Sequence, residues 1–182
     1  IESSQFNWAY KLMQRTLLIY SSIDGHTEAI CKKIAQHLGK DEIDILPLSA
    51  DIELSKYKSI IIGASIRYGR YREDVFDFIE SNLELLNSKE NAFFSVNAVA
   101  RKPNKNRPEN NPYLIKFLEQ TNWVPKKMAV FAGKIDYPKY KFFDKYAIKF
   151  IMFVTNGPTD TSQTYEFTDW DEVKIFSKDL NL

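Results

Sequence analysis

Cysteine occurs once in the 182 residues, at Cys31, and histidine twice, at His26 and His37. A single thiol excludes an intrachain disulfide, a CxxC redox pair and any cysteine-built zinc or iron–sulfur centre. It points to a reducing, cytoplasmic setting. Two separated histidines, with no HExxH and no His/Asp cluster, argue against a metal hydrolase and predict no metal site. Glycine (6) and proline (7) are sparse, and hydrophobic residues make up 44% against 27% charged, so the fibrous and disordered classes are excluded. No apolar run reaches the roughly 18–20 uncharged residues that span a bilayer. Ile1 to Leu12, with Glu2, Ser3, Ser4, Gln5 and Asn7, lacks the basic start and apolar stretch of a secretory signal. We read residues 1–12 as an extension ahead of Met13, and residues 13–182 as a single domain long enough to bury its own core.

An excess of one charge is also missing overall, with 25 Lys/Arg against 24 Asp/Glu, but not locally. From Asn97 to Phe150 there are 12 basic and 4 acidic residues, net +8, against −7 for the rest. A basic middle predicts an anionic partner, whether a lipid surface, a carboxylated substrate or nucleic acid. A solvated basic face without a partner has the same composition. No helix-turn-helix, RRM or zinc signature supports nucleic acid as that partner.

What is present is a strong alternation. Thr16 to Tyr20, Ser59 to Ile62, Ala92 to Val96 and Met128 to Ala132 are short, β-rich and apolar on both faces, as central strands of a parallel sheet are. Ile43 to Leu46 adds another strand, broken in pattern by Asp44. Helical spacing follows the first strand at Ile30, Ile34, Ala35 and Leu38, with Gly39 as the stop. It returns between Tyr71 and Leu86, from Tyr113 to Gln120 and from Tyr140 to Val154. A closing helix starts at Thr168, with Thr168 as N-cap and Asp171 three residues on. The pattern predicts an α/β fold: a doubly wound five-stranded parallel sheet with helices on both faces. A long basic insertion, residues 97–125, is expected between strands 4 and 5, where loops of that length are functional or mobile.

Chemistry in such sheets sits at the carboxyl ends of the strands. The first turn lacks both GxGxxG and GxxxxGK[ST], but Ser21, Ser22 and Thr27 offer hydroxyls and Gly25 allows close backbone approach. With the free N–H groups of the following helix, these can hold a phosphate without a cation. Helix capping by Ser22 or Asp24 is the simpler use of the same residues. Strand 3 runs into Gly63-Ala64-Ser65-Ile66-Arg67-Tyr68-Gly69 and strand 4 ends in Ser95-Val96-Asn97. Three loops converging at one edge can cradle a flat ring system, with Tyr68 stacked on its face. Farther on, Lys141, Lys145 and Lys149 form a line on an aromatic-rich helix, the pattern of an interfacial helix on an anionic membrane. A helix packed on the sheet with its lysines outward has that pattern too.

Ser22-x-Asp24-Gly25-x-Thr27 after a central strand resembles a variant of the flavodoxin phosphate loop T-x-T-G-x-T. More specifically, residues 16–176 resemble the bacterial flavodoxin-like protoporphyrinogen IX dehydrogenases that pass electrons to quinones. The likeness is carried by Gly63 to Gly69, Ser95-Val96-Asn97-x-Val99-Ala100-Arg101-Lys102-Pro103, Tyr137-Pro138-x-Tyr140, Ile148-Lys149-x-Ile151-Met152, Gly157-x-Thr159-Asp160-Thr161 and Thr168-Asp169-Trp170. The resemblance implies non-covalent FMN. Its phosphate would lie against Ser21, Ser22, Ile23, Asp24, Gly25, His26 and Thr27, and its isoalloxazine among Ala64, Ser65, Ile66, Arg67, Tyr68, Gly69, Ser95, Val96 and Asn97. Asp24 departs from the flavodoxin threonine, and its carboxylate is expected to turn away from the phosphate and cap the helix.

The same resemblance implies oxidation of a porphyrinogen with electrons delivered to menaquinone or ubiquinone, at the cytoplasmic face of the bacterial inner membrane. Arg101, Lys102, Lys105 and Arg107 are then candidates for propionate or lipid-headgroup contact, and Lys141, Lys145 and Lys149 for docking on the membrane surface. A carrier flavodoxin and an NAD(P)H:quinone oxidoreductase are the competing readings. No residue stands out as a protein general base, and no oligomeric state is legible.

Overall fold

The computed structural model describes residues 15–39, 42–49 and 51–182; the expectation for residues 1–12 lies outside them. The elements in chain order are β1 (Thr16–Ser21), α1 (His26–Leu38), β2 (Ile43–Pro47), β3 (Ser59–Ser65), α2 (Glu73–Ser81), α3 (Leu83–Ser88), β4 (Glu90–Asn97) and α4 (Pro112–Gln120). They continue with β5 (Lys127–Ala132), β6 (Lys134–Asp136), α5 (Phe142–Val154), β7 (Thr164–Glu166) and α6 (Trp170–Asp179). The strands pair in the order β2-β1-β3-β4-β5, all parallel. This is the doubly wound sheet that the apolar runs predict. In β1, Leu17 and Ile19 enter the core shared with α2 and α4, while Leu18 enters the core shared with α1 and α6. Both faces of the strand are dry, which is why its sequence shows no polar alternation.

The structure corrects several expectations. The helix read from Tyr71 to Leu86 is two helices, parted at Asn82, whose backbone is non-helical (φ −122°, ψ 16°). Its side-chain amide donates to Phe78 O at 2.8 Å, the local competition by which Asn ends helices. The cap of α6 is Asp169, which accepts from the N–H groups of Asp171 and Glu172; the Thr168 hydroxyl is turned to Ala132 O and His26.

Residues 97–125 form a crossover that carries α4 and is tied down at Asn111. Asn111 is fully buried, caps α4 and donates to Lys105 O at 2.7 Å and to Asn97 Oδ1 at 3.2 Å. The chain's larger departure from a plain α/β alternation lies after β5. There β6 and β7 make a separate antiparallel ribbon, and α5 closes over a small core of Ile135, Tyr137 and Met152. Arg101 ties this unit down. Its guanidinium donates to Ala98 O at 2.7 Å and to Thr155 O at 2.8 Å, beyond the last turn of α5.

Candidate functional site

The loops after β1, β3 and β4 meet at the carboxyl edge of the sheet, and α5 comes across them. The phosphate loop is built from what its residues leave unused. Gly25 takes φ +79°, a conformation costly for side-chain-bearing residues, and starts α1 without any side-chain cap. Neither Ser22 nor Asp24 caps the helix, so its leading N–H groups stay available to an anion. The hydroxyls of Ser21 and Thr27 are buried and lack hydrogen-bond partners. A buried hydroxyl without a partner costs roughly 1–3 kcal/mol, and that of Thr27, in the wall of the cleft at the start of α1, is placed to meet a ligand oxygen, whereas Ser21 lies outside the cleft lining. The donor set fits the phosphate of a flavin mononucleotide.

Asp24 does turn its carboxylate away, but toward a cation rather than the helix: Arg67 Nη1 reaches Asp24 Oδ2 at 2.6 Å. The guanidinium lies between two rings, 5.4 Å from the centroid of Tyr68 and 5.0 Å from that of Tyr140. It also reaches Asp144 of α5 at 3.6 Å, and the Tyr68 hydroxyl donates to the same carboxylate. That hydrogen bond is the main reason the Tyr68 hydroxyl titrates above its ordinary range. Burial pushes Tyr140 up to about 12, so both phenols are neutral at physiological pH, Tyr68 donating to Asp144 and Tyr140 accepting from the Asp136 N–H. Tyr68 and Gly69 have φ of 50° and 79°, and Arg67 and Arg70 exchange backbone hydrogen bonds across them. A two-residue turn with both φ positive thus aims the Tyr68 ring over the cleft. The clasp joins the loops after β1 and β3 to α5.

Behind the clasp lies a cleft of about 130 Å³, whose walls include Ser22, Ile23, Asp24, His26, Thr27, Ser65, Ile66, Arg67, Tyr68, Gly69, Val96 and Asn97. Twelve of the sixteen residues expected around a flavin are therefore brought together. Ala64 and Ser95 are fully buried beneath the cleft rather than in its wall. Ser95 and Asn97 are engaged in a buried chain: Tyr71 hydroxyl to Ser95 Oγ at 2.6 Å, Asn97 amide to Ser95 Oγ at 2.9 Å, and on to Asn111. Their side chains hold the loop in place, which leaves backbone groups to address a ring.

None of Arg101, Lys102, Lys105 or Arg107 lines this cleft; Arg101 and Arg107 lie in a groove beside edge strand β5, with Phe176 and Glu172. Tyr140, Ile148, Ile151 and Met152, quoted above for the resemblance but not among the residues expected around the flavin, also line the cleft. All but Tyr140 belong to α5, whose apolar residues had no local mark of a binding role. His26 Nε2 lies 2.6 Å from Thr168 Oγ1, which gives its own proton to Ala132 O, so the imidazole donates through Nε2.

The sheet order, uncapped first helix and converging edge loops define a flavodoxin-type α/β protein. The flavodoxin domain family matches residues 17–162. The protoporphyrinogen IX dehydrogenase [quinone] of Escherichia coli (strain K12) is 38% identical over 175 residues, 91% of this chain and 94% of its own. A protein of the same name from Leishmania major is 40% identical over 172 residues, 91% of this chain and 74% of its own. A solved flavodoxin from the domain Archaea, 14% identical, superposes with a TM-score of 0.50 over 92% of this chain and 96% of its own, a likeness of fold alone. The chain belongs to the flavodoxin domain family, in the group formed by these quinone-linked protoporphyrinogen IX dehydrogenases. Membership supports a flavin cofactor.

Proposed function

We propose that this chain oxidises protoporphyrinogen IX to protoporphyrin IX through bound FMN and delivers the electrons to a membrane quinone, menaquinone or ubiquinone. The carrying observation is the 38–40% identity to dehydrogenases of that name over 91% of the chain, joined to an uncapped phosphate loop with two unpartnered hydroxyls. FMN, when bound, supplies hydride acceptance and electron transfer. The protein's own part is placement. The α1 amides and the Thr27 hydroxyl would hold the phosphate, and Arg67 neutralises the Asp24 carboxylate that would otherwise repel it. The backbones of the loops after β3 and β4 flank the ring. A cleft of about 130 Å³ is smaller than the roughly 300–1,000 Å³ typical of ligand sites, so it would have to widen to admit FMN. Six electrons leave the porphyrinogen, so its oxidation takes three two-electron cycles and the substrate stays near or rebinds.

Docking on the membrane is the second part of the reading, and α5 supports it. Met152 packs inward, and Ile148 lines the cleft. Phe142, Phe143, Tyr146, Phe150, Phe153 and Val154 are all more than half exposed. At 100° per residue they fill an arc of about 120°, bordered on one side by Lys145 and Lys149. The helix thus does not bury its aromatic face on the sheet with lysines outward. A continuous apolar strip with a basic border suits an anionic lipid surface. Among the described residues, no helix is long and apolar enough to cross a membrane.

The test is an anaerobic assay of FMN-loaded protein with protoporphyrinogen IX and a quinone analogue, following porphyrin fluorescence. Quinone-dependent porphyrin formation is the expected result. Bound FMN without turnover sinks the reading and leaves an electron carrier, and rapid reduction by NADPH would point to a quinone reductase. Flotation with phosphatidylglycerol vesicles checks the docking. Binding is expected to fall with salt and to be lost in Phe143→Ser/Phe150→Ser, and equal binding of both proteins would refute it.

A further inference from the structure

A second cleft of about 470 Å³ adjoins the flavin cleft at the carboxyl edge of β3 and β4, between the start of α2 and the outer side of α4. The two share Ile66, Gly69 and Tyr113 as a common wall. Its size falls within the roughly 300–1,000 Å³ typical of ligand sites. Tyr71 and Phe76 give it an aromatic floor, held by edge-on packing of the two rings at 6.4 Å. Arg70 and Lys116 stand on its rim, both exposed and neither in an ion pair among the described residues. Most other cations near the sheet edge are spoken for: Arg67 by Asp24, Arg72 by Asp74 and Arg101 by backbone oxygens. Glu73 is the one carboxylate of the lining and leaves the rim with an excess of positive charge.

We propose that this cleft is the porphyrinogen subsite of the same active centre, with Arg70 and Lys116 pairing the two substrate carboxylates and Tyr71, Phe76 and Tyr113 covering its apolar body. The inference rests on the dehydrogenase reading above. An aromatic floor with two free cations at its rim suits a large apolar molecule bearing two carboxylates. The shared wall would place such a molecule beside the cleft behind Tyr68. Arg101, Lys102, Lys105 and Arg107, the cations that the sequence put forward for this role, are absent from the cleft lining.

The test is a fluorescence titration of flavin-loaded protein with protoporphyrin IX, repeated with its dimethyl ester in the same detergent. Arg70→Gln and Lys116→Gln are each expected to weaken binding of the diacid about fivefold, and the double variant about 20-fold or more. Glu73→Gln is expected to tighten it, and Arg107→Gln to leave it as it is. Binding of the diester should be the same in all. With protoporphyrinogen as substrate, the double variant should raise KM by a similar factor and hold kcat within about twofold. Both side chains are exposed, so flavin content and melting temperature serve as the folding control. Diacid binding by the double variant equal to that of the unmodified protein would overturn the proposal, as would an equal loss for the diester. If porphyrinogen turnover is normal in that double variant, the subsite falls and the dehydrogenase stands. If charge-dependent porphyrin binding occurs without quinone-linked turnover, the subsite stands and the dehydrogenase falls.

Discussion

At Thr27 a hydroxyl sits inside the protein with nothing to bond, and the sign of its replacement follows from that. Thr27→Val keeps the shape and removes the orphan. The flavin-free protein is expected to melt no lower than the unmodified one, while FMN affinity, read by flavin fluorescence, falls about tenfold. A purely structural threonine would show the opposite pair of effects. Gly63 is the contrasting case. It lies beside Phe94 in the β3–β4 register, and an added Cβ would come within 2.1 Å of that ring. Gly63→Ala should therefore cost about 2–3 kcal/mol by overpacking, seen as a lower melting temperature in either flavin state.

Elements differ in how far their own residues announce them. β1, β3, β4 and β5 were legible because each is buried on both sides and so written as an unbroken apolar run, whereas β2, a half-buried edge strand, carries Asp44 in its middle. The phosphate loop was legible because its residue types have few other uses together. The Asp24–Arg67 pair was not: its members are 43 residues apart, and nothing local to either names the other. Arg70 and Lys116 were missed for the same reason, since a cleft between α2 and α4 exists only once the crossover is folded. The basic count over 97–150 includes Lys116 but does not single it out, because composition does not say which face a lysine takes. Arg101 shows the consequence, acting as a strap on the end of α5. Arg101→Gln is expected to speed amide exchange over 152–157 about tenfold while the exchange of β1 and β3 stays unchanged. Equal acceleration in the sheet would mean that Arg101 supports the whole domain instead.

For the whole molecule, the pH dependence of stability has a definite sign. His26 is held below its ordinary value of 6.5, first by burial and then by nearby Lys134, with Glu166 opposing. His37 is shifted the same way, chiefly by desolvation. A histidine depressed in the folded state binds its proton more readily when unfolded, so stability is full above about pH 6.5 and falls as pH drops below it. Glu28, Glu53, Glu90, Asp136 and Asp160 are depressed by hydrogen-bonding partners and lose their contributions at lower pH, below about 4. Melting temperature should thus decline between about pH 6.5 and 5, and His26→Gln, which keeps a donor for Thr168, should flatten that decline. An unchanged slope would assign the decline to His37. The outward strip of α5 carries a different kind of consequence. Exposed apolar residues elsewhere, such as Ile23, Leu85 and Val124, stand singly, whereas six adjoin on this one helix. Among the described residues, the largest continuous apolar surface is therefore a patch smaller than one helix, and away from a bilayer it is the part open to self-association. Its tendency to cluster, to be drawn into detergent micelles and to adhere to apolar column media should vanish together when that patch is made polar, with the melting curve unmoved.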